Sequence, residues 1–127
     1  MSSLHKIAVI EDDPAIAAMY AFKLENCGYK VMTAHDGKQG LALVESFTPD
    51  LILLDLMMPE MNGDQMLQKM RATDWGSRIK VIILTNLSKD EAPHTLRLLN
   101  VDRYIVKAHY TPTQVCEVVD EILGTKR

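Results

Sequence analysis

Five short apolar runs constrain this 127-residue chain more than any other feature. They are Ile7–Ile10, Tyr29–Ala34, Leu51–Leu54, Lys80–Leu84 and Arg103–Val106, and their first residues lie 22, 22, 29 and 23 positions apart. The runs at Ile7, Leu51 and Val81 are nearly unbroken Val, Ile and Leu. A strand with one wet face alternates apolar and polar residues. A continuous run leaves no wet face, which is the pattern of a parallel sheet covered by helices on both sides.

Helix signals fill the gaps. Asp13-Pro14 is a cap followed by proline at the first helical position, and Gly28 suits the far end of that helix. Ile16, Met19, Tyr20, Phe22 and Leu24 supply its apolar residues. Asp36-Gly37 leads into a second helix through Leu41 and Val44, closed by Pro49. Residues 64 to 73 read as a Met-rich third helix with Met66, Leu67 and Met70 in the core. Thr111-x-x-Gln114 is a capping box that opens the last helix, and Gly124 ends it. The fourth helix is less regular: Ser88-x-x-Glu91 is a capping box, but Pro93 follows, so residues 86 to 92 are expected as a lead-in and the regular helix from about Pro93. Five strand–helix units with right-handed crossovers give an α/β fold, a doubly wound five-stranded parallel sheet, with residues 1–127 expected as one domain.

Composition narrows the function classes. Net charge is -3 and the pI about 5.7, which argues against direct nucleic-acid binding, since phosphate contacts need a positive face. No apolar run approaches the roughly 18 residues a membrane span requires, so no membrane insertion is expected. The first residues lack the basic and apolar parts of a signal peptide, and a cytoplasmic location is expected. Cys27 and Cys116 are far apart in sequence and read as separate, small buried hydrophobes in a reducing compartment. His5, His35, His94 and His109 share no metal-ligand spacing. Trp75, before Gly76, reads as a packing anchor.

In a doubly wound sheet the chemistry lies at the carboxyl ends of the strands. Here the first strand ends in Glu11-Asp12-Asp13, the third in Asp55, the fourth in Thr85-Asn86 and the fifth in Lys107. Carboxylates converging on one edge repel each other unless a cation relieves them, and few carboxylates plus water favour Mg²⁺. Asp55 is the one charge in a hydrophobic stretch. It can act as a nucleophile that forms an aspartyl-phosphate, with the metal offsetting phosphoryl charge. Lys107 supplies a second cation and Thr85 a hydroxyl donor. Taken singly, each group has a plainer role, as a helix cap, a turn residue or a solvated side chain. Their coincidence at four strand ends shifts the balance toward phosphoryl chemistry.

The motifs Val9-Ile10-Glu11-Asp12-Asp13-Pro14, Leu53-Leu54-Asp55-Leu56-Met57-Met58-Pro59-Glu60-Met61-Asn62-Gly63, Leu84-Thr85 and Tyr104-Ile105-Val106-Lys107 resemble those of bacterial two-component response-regulator receiver domains, chemotaxis regulators among them. The resemblance covers essentially the whole chain. It implies a flavodoxin-like (βα)5 fold with strand order 2-1-3-4-5. It implies Asp55 as phosphoacceptor, and Mg²⁺, with Mn²⁺ as substitute, held by Asp12, Asp55, the backbone carbonyl of Met57 and, through water, Glu11. Lys107 pairs with the phosphoryl group, and Thr85 and Tyr104 act as switch residues. Asp13 is given a capping role, and Gly63 a close backbone turn before the third helix. The implied partners are a sensor histidine kinase or histidine phosphotransfer protein, and an output protein or second copy docking on the fourth helix, fifth strand and fifth helix. Such a chain is a phosphoacceptor in a phosphorelay rather than an enzyme with external turnover.

Departures from the family pattern set further expectations. Ala108 stands where proline is usual, so the Lys107-Ala108 bond is expected trans. Asn86 replaces a small residue beside the site. Apolar Leu87 cannot orient a hydrolytic water, which implies slow self-dephosphorylation. Asn100 replaces a glycine and suits a left-handed cap. Rival classes fare worse. A flavin module needs a phosphate cradle where Glu11-Asp12-Asp13 would repel phosphate. An Asp-nucleophile phosphatase needs an acid–base residue where Met57 stands. A receiver-like interaction domain that is not regulated by phosphorylation remains as the alternative.

Overall fold

The computed structural model describes residues 4–125. The five apolar runs form β1 (Lys6–Ile10), β2 (Lys30–Ala34), β3 (Leu51–Leu54), β4 (Lys80–Thr85) and β5 (Arg103–Val106). They make one parallel sheet in the order β2-β1-β3-β4-β5, the expected topology. Among the described residues four α-helices cover it: α1 (Pro14–Asn26), α2 (Gly37–Phe47), α3 (Gly63–Arg71) and α4 (Pro112–Leu123).

The continuous apolar runs supply two cores at once, because successive strand side chains point to opposite faces. Ala8, Ile10, Ile52, Leu54, Val81 and Ile83 pack toward α2 and α3 with Val44, Met66, Leu67 and Met70. Ile7, Val9, Leu51, Leu53, Ile82 and Leu84 pack toward α1 and α4 with Ala17, Tyr20, Leu24, Val115 and Val119. Trp75 packs against the first of these cores, as expected of an anchor. On α1, however, Met19 and Phe22 are exposed, while Ala17, Tyr20 and Leu24 are buried. At about 100° per residue, positions 17, 20 and 24 share one face and 19 and 22 fall off it.

Local signals set the helix ends. The Asp13 carboxylate accepts from the Ala15 and Ile16 amides at 2.9 and 3.3 Å. Asp36 accepts from Gln39 at 2.7 Å. Reciprocal capping boxes open α3 at Asn62–Gln65 and α4 at Thr111–Gln114. Thr125, expected to fray with Lys126 and Arg127, is tied back: its amide donates to Asp120 O at 2.9 Å, and its hydroxyl accepts from Tyr29 at 2.9 Å. Lys126, Arg127 and the first three residues lie outside the described residues.

Two expectations need correction. The helix predicted from about Pro93 is a 3₁₀ helix, His94–Leu98, preceded by a 3₁₀ turn at Lys89–Glu91. Pro93 pushes Ala92 into extended backbone (ψ 148°), and Asn100 turns left-handed (φ 54°), as its side chain favours. The stretch between them is too short to repay α-helix nucleation. The tighter repeat also places Leu96 and Leu99, three apart, on the core. The second correction concerns the cysteines. Cys27 and Cys116 are not separate, because their sulfurs are in bonding contact between α1 and α4. Their separation of 89 residues hid this, and the packing of both helices on one sheet face creates it.

At the amino-terminal edge of the sheet Arg71, the last residue of α3, replaces missing secondary structure. Its guanidinium donates to the carbonyls of Leu99 (2.8 Å), Asn100 (2.9 Å), Gly76 (3.0 Å), Ser77 (3.2 Å) and Ile79 (2.8 Å). It thereby joins the loops that enter β4 and β5. Partial burial lowers its pKa from the ordinary value, opposed by the nearby Asp102 charge. Arg71→Ala leaves these carbonyls without a donor and is expected to lower stability by about 2–4 kcal/mol in urea unfolding. An unchanged midpoint would contradict the clamp.

Candidate functional site

Parallel strands end on one edge, and the register sets their order there. Ile10 pairs with Leu54 at the ends of β1 and β3, so Glu11 and Asp55 emerge side by side. Leu54 pairs with Ile83, and β4 runs two residues further to Thr85, which pairs with Val106, the residue before Lys107. Glu11, Asp12 and Asp55 place carboxylate oxygens within 4.8 Å of one another. With Thr85, Asn86, Met57 and Lys107 they line a cleft of about 270 Å³. Glu11, Asp55 and Thr85 are buried (4%, 6% and 0% exposed), and Asp12 lies open at the mouth. Buried acidic groups of this kind require compensation.

Lys107 provides it. From the turn after β5, its ammonium donates to Asp55 Oδ2 at 2.9 Å and contacts Glu11 Oε1. The other oxygen of Asp55 accepts the Met57 amide at 3.1 Å. One carboxylate oxygen is thus held by a backbone donor and the other by an ammonium. Gly63 allows α3 to start directly beneath: a Cβ there would lie 2.2 Å from the Asp55 carbonyl oxygen. The Lys107-Ala108 bond is trans and opens a 3₁₀ turn, Lys107–His109, so an alanine after the lysine still leaves the ammonium on two carboxylates.

Burial raises the Glu11 pKa to about 7. The Lys107 bond opposes the rise, and Asp12 and Asp55 add to it. For Lys107 burial acts downward, but bonds to Glu11 and Asp55, together with their charges, outweigh it and leave the ammonium pKa above its ordinary value. Lys107 is therefore held in its charged form, while the Glu11 carboxyl lies well above the ordinary carboxylate range.

The predicted site residues divide into two groups. Glu11, Asp12, Asp55, Met57, Thr85 and Lys107 share the cleft, with Asp13 at its margin serving as the α1 cap. Tyr104 does not line the cleft. Its hydroxyl donates toward the carbonyls of Leu87 and Ser88 at 2.8 and 3.1 Å, on the loop that leaves Thr85. The Leu87 amide in turn makes a long contact to Thr85 Oγ1 at 3.5 Å. Sequence reasoning missed His35, whose Nδ1 lies 3.1 Å from the Glu11 carbonyl oxygen. Its position just after β2 was the available signal, because β2 neighbours β1.

Comparison with known proteins agrees with this geometry. A family model described as the response regulator receiver domain matches residues 7–120. The chain belongs to that family. It is thus a receiver domain of two-component signalling. It is 35% identical over 120 residues to the alkaline phosphatase synthesis transcriptional regulatory protein PhoP of Bacillus subtilis, covering 93% of this chain and 48% of that protein. It is 32% identical over 117 residues to the phosphate regulon transcriptional regulatory protein PhoB of Rhizobium meliloti, covering 91% and 51%. The chain therefore spans about half the length of these relatives. Among solved structures, a CheY-like receiver domain protein from Methanospirillum hungatei superposes with a TM-score of 0.85 at 32% identity, covering 96% of this chain and 95% of that one. The receiver domain of sensor histidine kinase PA1611 from Pseudomonas aeruginosa, solved with magnesium coordinated in its active-site cleft, superposes with a TM-score of 0.83 at 22% identity, covering 97% and 100%. No described helix is long and apolar enough to cross a membrane.

The donor set, three carboxylates with one at the mouth, fits a hard divalent cation. With Glu11 near pKa 7, proton and cation compete. Lowering the pH from 8 to 6 is expected to weaken Mg²⁺ binding about tenfold, measured by calorimetry. Glu11→Gln should abolish most of that pH dependence.

Proposed function

We propose that residues 1–127 form one receiver domain in which Asp55 accepts a phosphoryl group from the phosphohistidine of a sensor histidine kinase or phosphotransfer protein. The observation that carries the reading is the Asp55 carboxylate itself. It is buried and fixed at both oxygens, yet it lines a cleft with two further carboxylates. In the transfer, an Asp55 oxygen bonds to phosphorus as the phosphorus–nitrogen bond breaks, and the imidazole leaves with the electron pair. Lys107 then has a phosphoryl oxygen to pair with, and Thr85 Oγ1, which accepts a long contact from the Leu87 amide, turns to donate to another. Mg²⁺, or Mn²⁺ in its place, supplies positive charge for the incoming phosphoryl group. Asp12, Asp55 and the Met57 carbonyl would hold it, with Glu11 acting through water. The phosphorylation-independent alternative leaves this assembly without a purpose.

Switching follows from the two hydroxyls. Phosphorylation adds about -1.5 to -2 charges at Asp55. Movement of Thr85 toward it shifts the 86–88 loop, on whose carbonyls Tyr104 is anchored. The face built from the 89–98 crossover, β5 and α4 is then biased toward a second arrangement. That face is the docking surface for an output protein or a second copy. The transcriptional regulatory roles named for the relatives are those of proteins about twice as long, and an acidic receiver contacts no nucleic acid directly. The setting for this chemistry is the cytoplasm, and any turnover is confined to the chain's own phosphorylation and dephosphorylation.

Asp55→Asn is expected to fold normally, yet to gain no acid-labile phosphate from an acyl phosphate donor with Mg²⁺, read by intact mass. Retention of the phosphate would remove the assignment. Leu87 is half-buried against the core, where no polar group can orient water toward Asp55. Leu87→Glu should shorten the phosphorylated half-life severalfold in a decay assay, and an unchanged half-life would show that Leu87 does not govern hydrolysis.

A further inference from the structure

The Cys27–Cys116 pair lies away from the cleft, and nothing described above employs it. Cys27 is the residue on which α1 ends, half-buried and followed by Gly28 at φ 95°. Cys116 lies in the second turn of α4, 3% exposed, between the buried Val115 and Val119. One partner therefore sits at a helix end that solvent reaches, and the other on the buried face of a helix. Their Cα atoms are 7.1 Å apart with the sulfurs in bonding contact. A closed bond therefore fixes the spacing of α1 and α4, and an open one leaves it to non-covalent packing.

We propose that Cys27 and Cys116 form a reversible dithiol–disulfide site, exchanged with low-molecular-weight disulfides such as oxidised glutathione, whose closure clamps α4 against α1. In the first step the Cys27 thiolate attacks the small disulfide, a mixed disulfide forms on Cys27, and one small thiolate leaves. In the second the Cys116 thiolate attacks the Cys27 sulfur and displaces the other. Each cysteine gives its proton to solvent, and the two electrons leave with the two reduced small thiols. Cys27 is the point of entry because a bulky disulfide cannot reach the buried Cys116.

Helix α4 is already bound to β5 by Arg103–Glu121 at 2.9 Å, an exposed pair of little strength. A covalent tie on its other side adds a bond that local opening cannot break, and by closing a loop of 89 residues it also restricts the unfolded chain. The clamp needs neither Asp55 nor a divalent cation, so its test is independent of the phosphoryl-acceptor reading.

The experiment treats the whole chain with oxidised glutathione, alkylates free thiols, and reads intact mass and amide exchange. Expected are a mass lower by two hydrogens with no alkylation, reversal by dithiothreitol, and exchange at least about tenfold slower over residues 116–123 in the oxidised form. The melting temperature should rise by about 5 °C or more. Cys27→Ser, at a half-buried helix end, should show neither effect, and Cys116→Ala should stop at the mixed disulfide. The proposal is overturned if both cysteines stay alkylatable, if reaction ends at glutathionylated Cys27, if the bond joins two chains, or if it closes without slowing exchange in α4.

Discussion

The structure depends on one electrostatic constraint: a parallel sheet gathers Glu11, Asp12 and Asp55 onto a single edge, and Lys107 must reach across to hold them. Lys107 leaves β5, while Glu11 leaves β1, with β3 and β4 between them. At about 4.8 Å per strand only a long cationic side chain can bridge that width. Burial then acts in opposite directions. It raises the Glu11 pKa to about 7, whereas the lysine stays charged because two carboxylates face it. A site balanced in this way has its positive charge in place before any phosphoryl group or cation arrives.

The sheet on which this edge rests is secured unevenly. Around α1, α2, α3 and α4, local caps agree with tertiary packing. Between β4 and β5 they conflict, because Pro93 and Asn100 interrupt the segment, and two 3₁₀ helices take the place of an α-helix. Leu96 and Leu99 anchor that crossover to the core, and Arg71 holds its exit. Leu98 meanwhile stands 85% exposed. The least regular part of the molecule therefore adjoins the loop to which Thr85 and Tyr104 are bonded, where a two-state element costs least to move.

Much of this was legible in the residues. Continuous Val, Ile and Leu runs marked β1, β3 and β4 as strands of a parallel sheet covered on both faces, and the family resemblance supplied the strand order. Asp13-Pro14, Asp36 and Thr111 act locally, so the starts of α1, α2 and α4 lay close to where those residues imply. The site was legible because every one of its groups ends a strand, and strand ends in this architecture share an edge. Where the reading failed, the deciding contact was non-local. Met19 and Phe22 have the right spacing for a helix but the wrong angle for the core. The Cys27–Cys116 contact and the Arg71 clamp depend on which segments become neighbours.

The sequence by itself determined the sheet, its crossovers and the residues gathered at its carboxyl edge, because strand period, caps and turn residues are local properties. Only the tertiary structure decided how those groups share charge. The pairing of Lys107 with both Glu11 and Asp55, the anchoring of Tyr104 on the 86–88 loop and the approach of Cys116 to Cys27 span 96, 52, 17 and 89 residues of chain. Contacts that distant carry no local signature. They exist because helices packed on both faces of a twisted sheet bring the ends of separate segments within a side chain's reach.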